Sequence, residues 1–345
     1  MIMESLINRF KWVRKKNIIQ KSYQSNYAFV GIGNHSLHNL YPVLAYLNVP
    51  LKYIVSKSKK TTDLIQRNYP SVTATNDFDK VLNDPDVRGI FICSDPASHF
   101  QLTQKALSHN KHVFVEKPVC LSSNELQSLI EISKATQTNC VVGMQKRFSS
   151  CTKLLNSRLE LKQVISYNYR FGVGAYPEGN IVWDLFIHPL DLVVFLFGKA
   201  EIISFVKTKE EKGNLSIMLQ VKHEHIIGTI EVSTAYSWIQ PFEELIVNTK
   251  TGVYEMENHQ SLIFSPKPQT ILSIPLEKIV SYTLEKQILF DGNSFLPVAK
   301  NNQLVSQGYF GEIDAFINLC ENKTRKNISS LESLVDTYRV LELVQ

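Results

Sequence analysis

Between Tyr27 and Met144, short β-branched and aromatic runs alternate with stretches of helical periodicity, and no other feature restricts the possible fold as strongly. The runs "YAFV", "LKYIVS", "VRGIFIC", "HVFVEK" and "NCVVGM" read as strands. Helices are expected from a glycine turn through about Leu47, over Thr62 to Asn68, Asp77 to Asn83 and Ser98 to His109, and again after Ser122. Ser122 and Glu125 stand at capping-box spacing, which marks the start of the last of these. Successive parallel strands need a crossover, so this alternation predicts βαβ units and a doubly wound parallel sheet.

Beyond residue 150 the texture changes. "LKQVISYNYRF", "EIISFVKT", "NLSIMLQVKH", "HIIGTIEVSTAY", "EELIVNT" and "GVYEMEN" are strand-like and joined by polar turns. They predict an α+β domain with a large open antiparallel sheet. The chain ends in two helical segments, "YFGEIDAFINLCENK" and "SSLESLVDTYRVLELV", the second with Ser329 and Glu332 as its cap. A chain of 345 residues exceeds what one core usually supports. The division expected is an arm over 1–26, a dinucleotide-binding domain over 27–148 and a substrate-binding domain over 149–345, with the final helices packing back on the first domain.

The net charge is +5, and six basic residues lie in the arm: Arg9, Lys11, Arg14, Lys15, Lys16 and Lys21. The rest is close to neutral, which is no nucleic-acid footprint. Met3, Leu6, Ile7, Phe10 and Val13 give the arm an amphipathic helical spacing, expected to dock on the protein itself or on a sister subunit, with a membrane surface as the other reading. No apolar run is long enough to span a bilayer. Five cysteines without a CxxC pair point to free thiols and a cytoplasmic location.

"VGIGNHS" follows the first strand directly. Gly31 and Gly33 occupy the first two positions of a dinucleotide fingerprint, with Asn34, His35 and Ser36 completing the turn and Ser36 in place of the third glycine. Ligands of open α/β sheets bind at the carboxyl ends of the strands, which selects Ser94 and His99 in "CSDPASH" and Glu116 and Lys117 in "HVFVEKPVC". The second strand ends in "SKSKK", so a hydroxyl, Ser56, followed by Lys57 replaces the carboxylate that accepts the ribose 2′-hydroxyl of NAD. That favours NADP, with NAD as the alternative.

The apolar stretch "NIVWDLFIHPLDLVVFLFG", residues 180–198, carries Asp184, His188 and Asp191 on one side of a helix. A buried hydrogen-bond network, a metal site and acid–base machinery all fit that spacing. No further ligand cluster accompanies it, and no metal is expected. Asp191 reads as structural.

In this order, the glycine turn, E-K-P after a strand, "VVGMQKRF" and D-x-x-x-H-x-x-D resemble the Gfo/Idh/MocA oxidoreductases, named for glucose–fructose oxidoreductase and inositol dehydrogenase. The resemblance runs from about residue 27 to the end of the chain. It implies a Rossmann domain paired with an open-sheet domain, and hydride transfer between NAD or NADP and a sugar, polyol or nucleotide sugar. Lys117, Asp184 and His188 match the family's catalytic residues, and Lys117–Pro118 matches a bond that is cis in many members. His188 takes the alcohol proton, Asp184 orients it, and Lys117 stabilises the developing alkoxide. Arg170 and Tyr176, in "YRFGVGAYPEG", are further candidate substrate contacts, beside Lys117, Asp184 and His188. A homo-oligomer through the open sheet is expected. Phe186 and Ser36 depart from the family pattern, which keeps a second class open: a catalytically silent dinucleotide and sugar sensor or scaffold.

Overall fold

The computed structural model describes residues 2–19, 23–177, 179–209, 214–268, 270–272, 274–281, 284–292 and 302–345. An 18-residue helix, α1 (Ile2–Ile19), precedes the first domain. That domain runs β1 (Asn26–Val30), α2 (Tyr41–Leu47), β2 (Leu51–Val55), α3 (Lys59–Asn68), β3 (Thr73–Thr75), α4 (Phe78–Leu82), β4 (Val87–Ile92), α5 (Pro96–Ser108), β5 (His112–Glu116), α6 (Ser123–Ala135) and β6 (Cys140–Gly143). All pairs in its six-stranded sheet are parallel, in the order β3-β2-β1-β4-β5-β6, so the strand order reverses beside β1. The short β3 carries too weak an apolar signal to be read as a strand from sequence.

Local chemistry sets the helix starts. Ser58, Asp77, Asp95 and Ser122 each accept a backbone N–H of the following turn, satisfying donors that a helix start leaves free. Glu125 closes the box at Ser122 by accepting the Leu121 N–H at 3.0 Å. Ser329 is not a cap. Its hydroxyl donates to the Val142 carbonyl and its own carbonyl accepts the Val142 N–H, at 2.6 and 2.9 Å, so it extends the edge of β6. The last helix, α11 (Val335–Val344), begins without a side-chain cap.

The second domain contains α7 (Ser150–Arg158), β7 (Val164–Gly172), α8 (Ile187–Phe197), β8 (Glu201–Lys209), β9 (Leu215–His223), β10 (Ile226–Ser233), β11 (Phe242–Thr249), β12 (Gly252–Glu257) and β13 (Ser261–Pro266). A small hairpin of β14 (Thr270–Ile271) and β15 (Ile274–Pro275) and then β16 (Gln287–Asp291) follow. The eight-stranded sheet has the order β16-β13-β12-β11-β7-β10-β9-β8 and is antiparallel except for the pair β7–β10. The large antiparallel sheet expected from sequence thus contains one parallel pair. The long helical passage after β7 is a crossover, and a crossover returns a strand parallel.

After α9 (Gln303–Ser306), α10 (Tyr309–Cys320) returns to the first domain. Alternation along β1 sends Tyr27 and Phe29 to one face of the parallel sheet and Ala28 and Val30 to the other. Ile313, Phe316 and Ile317 of α10 fill the first of these faces together with Phe91 and Phe114. Residues from the end of the chain therefore complete the core of the domain that begins it.

Two wide helical turns interrupt the regular helices, at Ser36–Leu40 and Val182–Phe186. In each, a backbone N–H reaches back five residues, Tyr41 to Ser36 and Ile187 to Val182. A proline follows both, Pro42 and Pro189, and its missing N–H cannot extend the ordinary ladder.

Candidate active site

The carboxyl ends of β1, β4 and β5 meet at the point where the strand order reverses, the usual ligand crevice of such sheets. Gly31 has a φ of +90°, and a Cβ there would lie 2.7 Å from the Cys93 carbonyl and from the Ser94 backbone. At Gly33 a Cβ would meet nothing within 4 Å, so the turn leaves open space where a pyrophosphate fits. Ser36 is buried, and its hydroxyl accepts the Gly33 N–H at 2.9 Å and donates to the Gly33 carbonyl at 3.0 Å. The residue in place of the third glycine thus staples the turn and takes up one amide. Asn34 is exposed, and its carbonyl bonds His38 Nδ1 at 2.7 Å.

At the end of β2, Ser56 is buried and donates to the Ser58 carbonyl at 3.2 Å, while Lys57 is exposed. Ser94 bonds Ser98 through its hydroxyl at 2.8 Å. His99 lies elsewhere than expected. It is buried between the Ser94 and Pro118 carbonyls, at 3.0 and 2.8 Å, and serves as a strut joining two strand-end loops instead of a ligand contact.

Glu116 is buried beside His35, with Nε2 at 3.3 Å. Burial opposes its ionisation, but His35, Lys117 and His99 outweigh that and hold its carboxyl below the usual range. The next bond, Lys117–Pro118, is cis, as the resemblance implies. Lys117 Nζ donates to the Asp184 backbone carbonyl at 2.7 Å, which joins the two domains at this point. Pro189, five residues on, brings no N–H to that carbonyl, so the wide turn presents an acceptor to the lysine.

The Asp184 side chain does not orient His188. Its carboxylate accepts the Asn180 N–H at 2.9 Å, while the Asn180 amide oxygen accepts from Val182 and Trp183 at 3.0 and 3.3 Å. This is a reciprocal cap, and free N–H groups at a helix start draw the carboxylate there. Tyr176 lies against the same spot. A Cβ on Gly179 would collide with both the Tyr176 ring and the Asp184 carboxylate, so glycine is required between them.

His188 is partly buried, and no hydrogen bond of its ring is found among the described residues. Burial, reinforced by Lys117 and Lys146 and opposed by Glu243, holds its imidazole well below the usual histidine value, hence neutral. Burial likewise lowers Lys117, against the pull of Glu116 and Asp184. Lys146 and Glu243 form an ion pair, which Tyr169 and His259 join through the Glu243 carboxylate. Ser149 holds the other His259 nitrogen at 2.9 Å. Burial disfavours the charge on Glu243, yet Lys146 and His259 keep that carboxyl well below its ordinary value.

Glu243 also lines a cavity of about 800 Å³ between the two domains, together with Phe171, Asn39, Asn258, Gln307 and Tyr309. Near its mouth the Tyr309 ring lies 5.8 Å from the His35 ring. On the same helix as Tyr309, Glu312 is fully buried, and neither of its carboxyl oxygens has a hydrogen-bond partner among the described residues. Burial and then Glu116 push its carboxyl well above the ordinary range, so it is a neutral acid.

One expected residue belongs elsewhere, and Asp191, read as structural, is built into the fold. Arg170 pairs with Glu231 at 3.1 Å and points away from Tyr169 and Glu243, because successive strand residues face opposite sides. Asp191 is sealed in the core, accepting from Arg147 Nε and Nη2 at 2.7 and 2.5 Å and from Thr337 at 3.2 Å. Sequence reasoning missed Lys146, Glu243, His259 and Glu312. Only Lys146, in "VVGMQKRF", carried a signal that could have found it. Among the described residues no group of three or more His, Cys, Asp and Glu side chains is arranged to hold a metal ion.

Residues 25–144 match the model of an oxidoreductase family with an NAD-binding Rossmann fold. An uncharacterized oxidoreductase, YhhX, of Escherichia coli is 26% identical over 42% of this chain and 46% of its own length. The scyllo-inositol 2-dehydrogenase (NAD(+)) of Bacillus subtilis is 32% identical over 36% of this chain and 39% of its own. These matches therefore span less than half of the curated relatives. Solved structures match nearly the whole chain at low identity. A dehydrogenase from Chromobacterium violaceum gives a TM-score of 0.79 at 16% identity, over 94% of this chain and 95% of that one. A 3-ketoreductase from Actinomadura kijaniata, in complex with TDP-benzene and NADP, gives 0.72 at 12% identity, over 93% and 96%. They share its fold.

Proposed function

Because this chain belongs, through its Rossmann domain, to the Gfo/Idh/MocA oxidoreductases, we propose that it transfers a hydride between a nicotinamide cofactor and a secondary alcohol or ketone of a sugar, polyol or nucleotide sugar. The observation that carries this reading is the meeting of Lys117 and the helix of His188 across the two domains. The glycine turn, with its open space at Gly33, suits the cofactor's pyrophosphate, and the nicotinamide supplies the hydride chemistry when bound.

The rest falls to side chains. Neutral His188 accepts the alcohol proton during oxidation. Lys117, held in place by the Asp184 carbonyl, has further N–H groups to give the substrate oxygen as negative charge develops. Lys146 adds positive potential from its pair with Glu243. Asp184 acts through its carbonyl and its cap, not as the partner of His188. In the direction of reduction the same proton returns from His188 to the substrate oxygen, while Lys117 keeps its hydrogen bond to that oxygen.

The lack of a carboxylate after β2, with Lys57, Lys59 and Lys60 exposed there, supports NADP over NAD. Five free cysteines support a cytoplasmic location. Exposed Ile165, Ile203, Val206, Met218 and Ile227 on one side of the large sheet support assembly of like chains through that face.

One observation favours the silent-sensor reading, namely that Ser36 already occupies the Gly33 amide. Absorbance of the reduced nicotinamide, followed with a panel of sugars, polyols and nucleotide sugars, separates the two. Turnover with at least one member supports the enzyme. Binding of cofactor and sugar without turnover, across the panel and in both directions, overturns it.

A further inference from the structure

Helix α1 forms as its periodicity requires, but its apolar stripe is not covered. Met3, Leu6, Ile7, Phe10 and Val13 are 75%, 60%, 48%, 67% and 44% exposed. Side chains at such three- and four-residue spacing share one face of a helix, so these five form a single strip facing water. Leaving it there forfeits the favourable burial of five large side chains, which points to an occupant outside the folded body.

Charge identifies the occupant. Six of the 37 basic residues and one of the 32 acidic ones, Glu4, lie in the first 21 positions. The arm therefore carries +5, and the rest, with 31 of each sign, carries none. The helical period sets Arg9 and Lys11 at the two borders of the apolar strip, with Lys15 and Lys16 on the opposite side. Basic stems at the border of an apolar strip reach past it to anionic groups in the plane above. A second copy of the chain offers no net negative charge to attract the arm, whereas an anionic leaflet does. At 18 residues the helix is about 27 Å long, and it does not meet the length and hydropathy needed to cross a membrane.

We propose that α1 is a membrane-surface anchor that lies flat in the interface of an anionic bilayer, with Leu6 and Phe10 at the centre of its buried strip and the border residues Arg9 and Lys11 on the lipid headgroups. The globular body stays in the aqueous phase. This proposal is independent of the hydride-transfer reading, since it invokes no residue of the site.

The test is co-sedimentation of the full chain with vesicles of phosphatidylcholine alone and of phosphatidylcholine with about 30% phosphatidylserine. The protein is expected to pellet with the second and to stay in solution with the first, and to be released as salt shortens the screening length. Leu6→Glu with Phe10→Glu should weaken partitioning by about tenfold or more, and Arg9→Gln with Lys11→Gln by a smaller factor, because the first removes burial and the second only attraction. The melting temperature should stay unchanged in both, as neither pair touches a core. Failure to pellet with anionic vesicles overturns the proposal, as does equal binding to neutral ones. A dimer in solution that Leu6→Glu with Phe10→Glu abolishes would assign the strip to a second copy instead.

Discussion

Two successive turns of the helical passage from Val182 to Phe197 carry the same kinds of residue and have opposite fates. At its start, Asp184 and His188 stand at the junction of the domains, among Lys117, Lys146 and Glu243, and the imidazole has no fixed partner among the described residues. One turn further, Asp191 is buried, and Arg147 and Thr337 satisfy its oxygens. A carboxylate in a closed network has its capacity used up by the fold. An unpartnered imidazole among cations is unfavourable for folding and useful for proton transfer, and this separates chemistry from architecture within the eight residues from Asp184 to Asp191.

The largest effects should divide these two turns. Lys117→Ala and His188→Ala are each expected to lower turnover by about a hundredfold to ten-thousandfold, while the melting temperature and cofactor affinity hold. Steady-state kinetics and calorimetric titration check this. Asp191→Ala should do the reverse. Removing one partner of a buried ion pair costs about 3–5 kcal/mol of stability, read from denaturant unfolding, because Arg147 is left charged and unpaired.

Cofactor choice should move less. Ser56→Asp with Lys57→Ala is expected to shift the ratio of NADP to NAD affinities by about tenfold or more, reversing a preference for NADP, since a carboxylate repels the 2′-phosphate and accepts from a 2′-hydroxyl. Equal affinities in the unaltered protein would make Lys57 a surface charge. A smaller effect tests the wide turn. Pro189→Ala supplies an N–H that competes with Lys117 for the Asp184 carbonyl, and turnover should fall a few-fold with little change in melting.

Much of this contrast is legible in the amino-acid sequence. The glycine turn, the E-K-P strand end and the D-x-x-x-H spacing are local patterns, and local patterns survive in a sequence. So does the alternation that builds the parallel sheet, because buried parallel strands are apolar throughout. What stays hidden depends on register or on distance along the chain. Arg170 lies on a strand that the sequence marks clearly, but which way its side chain faces depends on the register of that strand in the sheet. Asp184 reads as the partner of His188 from spacing, yet helix-start donors claim its carboxylate. Glu243 lies 97 residues from Lys146, and only the pairing of β11 with β7 brings it to Tyr169. Glu312 comes from a helix that completes the first domain's core, which no pattern near "VEKP" announces.

Burial, reinforced by Lys117 and Lys146, keeps His188 a neutral base, and the pH dependence of kcat/KM for alcohol oxidation tests this most directly. A histidine held below its ordinary value stays deprotonated until pH falls through that lowered value, so the acid limb should lie well below pH 6.5. Lys146→Gln removes one of the two lysines and leaves Glu243, which favours the charged imidazole, so the limb should move upward. An acid limb near 6.5 that Lys146→Gln leaves in place would contradict the account.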